Sequence, residues 1–297
     1  MLEIGPATTL SFSLLGPVQA WRTAGAHAGS PRTGTEVDIG SPQQRGTLAM
    51  LLLREGAMVT LDELISGLWG EEPPRSAVTT VRTYIYRLRR VLQEEGDEST
   101  RLESASGGYV LHVPDKAVDV NRFRAHTTRA SMASRRGDQH TAAAELRAAL
   151  ALPDGRSLAG VQGPYAQGQR ARLEQCVATA HLDLIEAEIL LGRHREILPD
   201  LTAMVAAHPL WEEVQALYMT ALHGTGRTAE ALEHYRRSHR ALVDELGIEP
   251  GTRLRAAMHH ILSPEPATVL TEQPAPRVGV HQRRRRPAWV SHRRLVR

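Results

Sequence analysis

The 297-residue chain has one cysteine, Cys176, one lysine, Lys116, and two phenylalanines. A single thiol excludes an internal disulfide, and its apolar helical surroundings predict a buried structural thiol rather than a redox sensor. No apolar run approaches the roughly 20 residues a membrane-crossing helix needs. The opening MLEIGPATTLSF lacks the cationic start of a secretion signal, so a cytoplasmic location is expected. Signatures of catalysis are missing too: there is no HExxH, no cysteine–histidine ligand set and no G-x-S-x-G elbow. No enzymatic activity, metal or cofactor is therefore expected. Of the 14 histidines, His234, His239, His259 and His260 are expected on helix surfaces.

A large excess of either charge is also lacking, with a net +3, and its distribution is uneven. Residues 1–113 hold ten arginines and thirteen acids, and residues 114–262 hold eighteen of each sign. The last 35 residues carry eight arginines against two glutamates, so the whole positive excess lies there. Overall charge is thus no argument for nucleic-acid binding, and any such contact must be directional.

One stretch supplies that direction. In residues 76–92, SAVTTVRTYIYRLRRVL, the apolar Val78, Val81, Ile85, Leu88 and Leu92 recur at spacings of three and four, which stacks them on one side of a helix. Thr79, Thr83, Tyr86 and Arg90 point away from that stripe, with Thr80 and Arg87 beside them and Arg82 and Arg89 at its shoulders. No acid interrupts the polar side. Hydroxyls and guanidiniums in this arrangement suit phosphate oxygens and the N7 and O6 acceptors of guanine in a major groove. An ordinary amphipathic helix with a solvated basic face fits the same pattern, so the context decides.

The context is a three-helix unit followed by a hairpin. Ser41 is placed as an N-cap, with Pro42 at the first helical position and Gln44 completing a capping box, for a helix running through Leu48, Leu51 and Leu52 to about Arg54. Thr60 and Glu63 form a second capping box, for a short helix ending before Trp69 and Gly70. The loop Glu71, Glu72, Pro73, Pro74, Arg75 forbids helix. Residues 101–103 and 109–113 are strand-like about 104–108, where Gly107 and Gly108 allow a tight turn, forming a wing. Residues 10–21 and 36–39 read as strands ahead of the first helix. The acids Asp62, Glu63, Glu71, Glu72 and those of 94–98 cluster away from the basic face.

These residues carry a family resemblance. Ser41-Pro42-Gln43-Gln44-Arg45, the run Leu61-Asp62-Glu63-Leu64-Ile65 closing in Leu68-Trp69-Gly70, and YIYRLRRVL at 84–92 resemble an OmpR-type winged helix, and more closely the Streptomyces antibiotic regulatory proteins. The likeness continues to about Leu262 in what resembles the bacterial transcriptional activator domain, with LVDELGIEPG at 242–251 a specific match. The expected fold is mainly α, with a winged helix-turn-helix of mixed α and β over 1–113, an all-α tetratricopeptide-like repeat domain over 114–262, and a disordered arginine-rich tail over 263–297. The sequence departs from the family in its long Gly, Ala and Thr-rich segment 23–35, and in Gln43 and Gln44 where lysine is common. No GxxxxGK[ST] loop is present, so the ATPase module of larger members is not expected.

The repeat itself is legible. Leu191-Gly192-Arg193-His194-Arg195-Glu196 is echoed by Thr225-Gly226-Arg227-Thr228-Ala229-Glu230, with Ala187 matched to Ala221 and Leu198 to Leu232, all 34 residues apart. That is the tetratricopeptide period. Gly137 and Asp138 start an earlier, less regular unit. Beyond Leu262, Pro264, Pro266, Pro274 and Pro276 and the arginines at 283–286 and 293–294 predict a solvated tail or a sequence-independent phosphate contact.

The resemblance implies binding of double-stranded promoter DNA at direct repeats near the −35 element, as two protomers side by side. It also implies recruitment of RNA polymerase through σ region 4 and other subunits, and activation of a secondary-metabolite gene cluster by a protein at the nucleoid. The DNA-binding residues would be Thr79, Thr80, Arg82, Thr83, Tyr86, Arg87 and Arg90, with Ser106 and Gly107 of the wing. Trp69, Glu71, Glu72 and Arg75 would face polymerase. The alternatives are a repressor using the same DNA face, and a helical-repeat interaction or sensor protein with a ligand or peptide in the 180–260 groove.

Overall fold

The computed structural model describes residues 8–24, 34–93, 99–153 and 155–263. β1 (Thr8–Ser13), β2 (Gln19–Ala24) and β3 (Thr35–Val37) form an antiparallel sheet in that order, with Phe12 opposite Ala20 and Ala20 opposite Val37. Leu10, Phe12 and Ala20 turn one face of it into the core. The connection within 25–33 lies outside the described residues.

Three helices follow. α1 (Pro42–Leu53) begins as expected, with the Ser41 side chain accepting from the Gln44 N–H at 3.3 Å. The return bond of a capping box is not among those of the described residues, and the Gln44 side chain is buried beside Gly40. α2 (Leu61–Trp69) has the full reciprocal box, with Glu63 N–H donating to Thr60 Oγ1 at 3.1 Å and Thr60 N–H to Glu63 Oε2 at 2.8 Å. Those bonds, the backbone one first, hold the Glu63 carboxyl below its usual range. α3 (Ala77–Leu92) then leads to the hairpin β5 (Arg101–Ala105) and β6 (Gly108–His112), and β6 also pairs with the short β4 (Val59–Thr60).

The rest is helical: α4 (Asp119–Arg135), α5 (Gln139–Leu150), α6 (Pro164–Leu190), α7 (His194–Ala207), α8 (Glu212–Gly224), α9 (Thr228–Leu246) and α10 (Thr252–Leu262). The same turn joins three successive pairs. Gly137, Gly192 and Gly226 have φ of 79°, 75° and 82°, and each N–H donates to the carbonyl three residues back, at 2.9, 2.9 and 2.8 Å. The next residue's N–H reaches Ala133, Glu188 and Leu222 at 3.0, 3.0 and 2.9 Å. Glycine supplies the left-handed backbone that closes these helix ends, so the 34-residue echo is a repeated geometry.

The apolar core does not stop at residue 113. One continuous cluster runs from Phe12, Leu14 and Leu15 through Leu48, Leu51, Ile85 and Leu88 to Val120, Phe123, Leu146, Leu158, Val161 and Leu173. The loop after β1 is gripped from both sides. Buried Asp119 accepts from Ser13 Oγ at 3.0 Å and from the Leu14 and Leu15 N–H groups at 2.9 and 3.0 Å, while the Leu158 and Ala159 N–H groups donate to Leu14 and Gly16 carbonyls at 2.9 and 3.2 Å. Burial pushes the Asp119 carboxyl up, against the pull of these donors. Arg170 fixes the loop preceding α6 through the carbonyls of Ser157, Leu158 and Val161, at 3.0, 3.0 and 2.9 Å.

In the helical region, Cys176 and His234 depart from expectation. Cys176 is exposed on α6, at the shoulder of the packed line Leu173, Val177 and Ala180. His234 is buried between α8 and α9, not on the surface: its Nε2 lies 2.6 Å from Gln215 Oε1 and its ring packs edge-on to Tyr218 at 4.8 Å. The contacts to Gln215 and Tyr218 that bury His234 come from another helix, and local pattern carries no trace of them. His259 and His260 are exposed, as expected, whereas His239 is half-buried and pairs with Glu249 at 2.8 Å. Among the described residues no helix is long and apolar enough to cross a membrane.

Candidate nucleic-acid interface

α3 is pinned at both shoulders. Arg22 of β2 donates to the Val91 carbonyl at 2.8 Å, and Arg89 reaches across to the wing, its Nε donating to the Leu102 carbonyl at 2.9 Å and its terminal nitrogen to Ser104 Oγ at 2.8 Å. Ala77, Val81, Ile85, Leu88 and Leu92 form the buried stripe. Val78, expected in that stripe, is instead 40% exposed. Ala77, four residues before Val81, takes the place on the line, and Val78 falls one rotation off it.

On the outer side Thr79, Arg82, Thr83, Tyr86, Arg87 and Arg90 are exposed and Thr80 is half-buried. Tyr86 has 65% of its surface free. Thr83 Oγ1 donates to the Thr79 carbonyl at 2.9 Å, which turns its lone pairs outward as an acceptor, and Thr80 Oγ1 lies 3.4 Å from Ser76 Oγ. Among the described residues no hydrogen bond or ion pair engages Arg82, Arg87 or Arg90. Three guanidiniums, a phenol and threonine hydroxyls therefore share one open convex face, the chemistry that phosphate and guanine acceptors demand.

The wing tip differs from the expected Gly107–Gly108 turn. The two-residue turn is Ser106–Gly107, both exposed, with Gly107 at φ 86°. Gly108 is already in β6 opposite Ala105 and Thr60, where a Cβ would stand 2.3 Å from the Val59 carbonyl oxygen. Its missing side chain lets the β4 backbone approach. The bracing role of Arg89 leaves no mark in helical spacing, because its partners lie in the wing.

The loop between α2 and α3 divides. Glu71, Glu72 and Arg75 are exposed, whereas Trp69 is half-buried and packs on the core. Beneath them α2 is sandwiched, for a Cβ on Gly67 would lie 2.4 Å from Met50 Cε and 3.2 Å from Tyr165 Cβ. The acids of 94–98 lie outside the described residues.

A winged helix with an open cationic reading face, continuous with a helical-repeat body, defines a DNA-binding transcriptional regulator. Residues 34–111 match the family described as transcriptional regulatory protein, C terminal, and residues 118–262 match the bacterial transcriptional activator domain. The chain is 44% identical over 259 residues to the regulatory protein AfsR of Streptomyces coelicolor, covering 87% of this chain and 25% of AfsR. It is 34% identical over 264 residues to the regulatory protein DnrI of Streptomyces peucetius, covering 86% of this chain and 93% of DnrI. Mycobacterium tuberculosis EmbR, solved in complex with a low affinity phosphopeptide, superposes with a TM-score of 0.80 at 34% identity over 88% of this chain and 66% of that one. The chain belongs to the Streptomyces antibiotic regulatory protein family, whose members are transcriptional regulators and not enzymes. It spans about a quarter of the length of the AfsR proteins it matches.

Proposed function

We propose that the chain is a sequence-specific activator, working in the cytoplasm at the nucleoid. It binds direct repeats beside a −35 element as two protomers side by side, and it recruits RNA polymerase to a secondary-metabolite gene cluster. The observation that carries this reading is the open face of Arg82, Tyr86, Arg87 and Arg90 on a helix braced by Arg22 and Arg89. In this reading Thr79, Thr80 and Thr83 join that face on bases or phosphates, and Ser106 and Gly107 lie over the neighbouring backbone. Glu71, Glu72 and Arg75, with the edge of Trp69, meet polymerase. The DNA-binding unit is assigned to 1–113, the activator unit to 114–262 and the basic tail to 263–297. Membership of the Streptomyces antibiotic regulatory protein family supports the target class.

The test is capture of fragmented genomic DNA by the full chain at physiological salt, beside an Arg87→Ala, Arg90→Ala variant. Each lost guanine contact costs about 1–3 kcal/mol, so peaks holding paired direct repeats should vanish in the variant. A profile unchanged by the double substitution would remove α3 from the reading role. Transcription from a captured promoter separates activation from repression, since Glu71→Ala, Glu72→Ala should abolish the gain in transcript while leaving DNA binding intact.

A further inference from the structure

The most exposed of the large apolar side chains among the described residues, Tyr86, stands on the helix face least suited to carry one. Neither its ring nor its hydroxyl is engaged within the described chain. Tyr84, two residues earlier, is half-buried, so the exposure belongs to position 86 rather than to tyrosine on α3. At about 100° per residue, Tyr86 lies in the middle of the outer face: Arg82, one turn before, is turned about 40° to one side, and Arg90, one turn after, about 40° to the other. All three side chains are exposed, and side chains on a helix lean alike toward its N-terminus, so their order along the axis is kept. The helix that carries them is held at both shoulders by Arg22 and Arg89.

A tyrosine has an apolar body and a polar tip. The floor of a major groove offers donors, acceptors and one apolar group, the 5-methyl of thymine. A ring set between two guanidiniums therefore has a single apolar partner there, while the guanidiniums have theirs in guanine N7 and O6. We propose that Tyr86 is a thymine reader, its ring packed on a 5-methyl group, with Arg82 and Arg90 taking guanines on either side. Four residues of helix advance about 6 Å and base pairs stand about 3.4 Å apart, which puts each guanine about two base pairs from the thymine. This assignment rests on α3 being the groove-bound helix, and it deepens that reading by giving the recognised repeat a chemistry. An apolar centre flanked by guanine edges is a pattern that a purely cationic face could not select.

Selection from random duplexes with the full chain supplies the operator for the test. Replacing its thymines by deoxyuridine, one at a time, removes the 5-methyl and nothing else. Binding at physiological salt, read by fluorescence anisotropy, should weaken about fourfold at one thymine of each repeat, the loss expected for one methyl left in water. At that thymine uracil should be without effect in Tyr86→Ala, whereas Tyr86→Phe keeps the ring and should keep the sensitivity. Replacing guanine by 7-deazaguanine, which lacks N7, should cost affinity on both sides of that thymine in the parent chain, but on one side only in Arg82→Ala and on the other only in Arg90→Ala. An operator indifferent to uracil at every thymine would overturn the proposal, as would a uracil effect undiminished in Tyr86→Ala. Equal weakening of all duplexes by Tyr86→Phe would overturn it too, by making the hydroxyl a phosphate donor. A parent chain that selects no operator would remove the promoter reading and this assignment together, so the two failures are told apart.

Discussion

His234 shows how one residue's surroundings set a measurable property. Gln215 uses its Nε2 on two carbonyls, so its Oε1 accepts from His234 Nε2–H, which leaves Nδ1 bare and the ring neutral. Burial first, then the charge of Arg237, pulls the imidazole from 6.5 to about 4. The unfolded chain binds this proton near pH 6.5 and the folded chain only near pH 4. Stability from this site is therefore complete above 6.5 and is lost as pH falls through that window. His181 and His194, also lowered by burial, add in the same direction. Urea midpoints at about pH 7.5 and about pH 5 should differ less in His234→Gln than in the parent chain. Parallel shifts in the two chains would remove His234 from the account.

At the scale of elements, legibility followed the range of the forces involved. The α2 capping box and the α3 amphipathic pattern depend on residues three and four apart, so Thr60, Glu63, Val81, Ile85 and Leu88 could be read directly. The glycine turns could be read because Gly192 and Gly226 recur with their neighbours. What escaped depends on partners distant in the chain: Gly108 against β4 and Arg89 in the wing. Arg89 makes the sharpest test, since it sits on the basic helix yet is spent on protein rather than left for DNA. Arg89→Ala removes both wing bonds, at a cost of about 1 kcal/mol each in stability. It should weaken operator binding roughly tenfold by freeing the wing, without changing the preferred sequence. A changed preference, measured by selection from random duplexes, would instead make Arg89 a base reader.

At the scale of the whole molecule, one apolar cluster crosses from the winged helix into the first helices of the repeat region. Phe12, Leu14 and Leu15 share one buried cluster with Val120, Leu158 and Val161, and the backbone of the loop after β1 is satisfied by Asp119. Fully burying one such side chain contributes about 1.5–3 kcal/mol, and a domain's net stability is only about 5–15 kcal/mol. Removing everything after residue 113 strips several of these contacts at once and consumes most of that margin. A fragment of residues 1–113 should therefore melt broadly and far below the full chain, while one ending at residue 190, which keeps α4, α5 and α6, should regain a cooperative transition. Circular dichroism melts of the two fragments decide it, and a sharp transition for 1–113 near that of the full chain would show that the shared core adds little. If the core is shared, α3 is held rigidly to the first helical repeat. Under the proposed activator function, the surface offered to polymerase is then held at a spacing fixed by packing rather than by a linker, so glycine-rich insertions after Val113 should impair activation more than DNA binding.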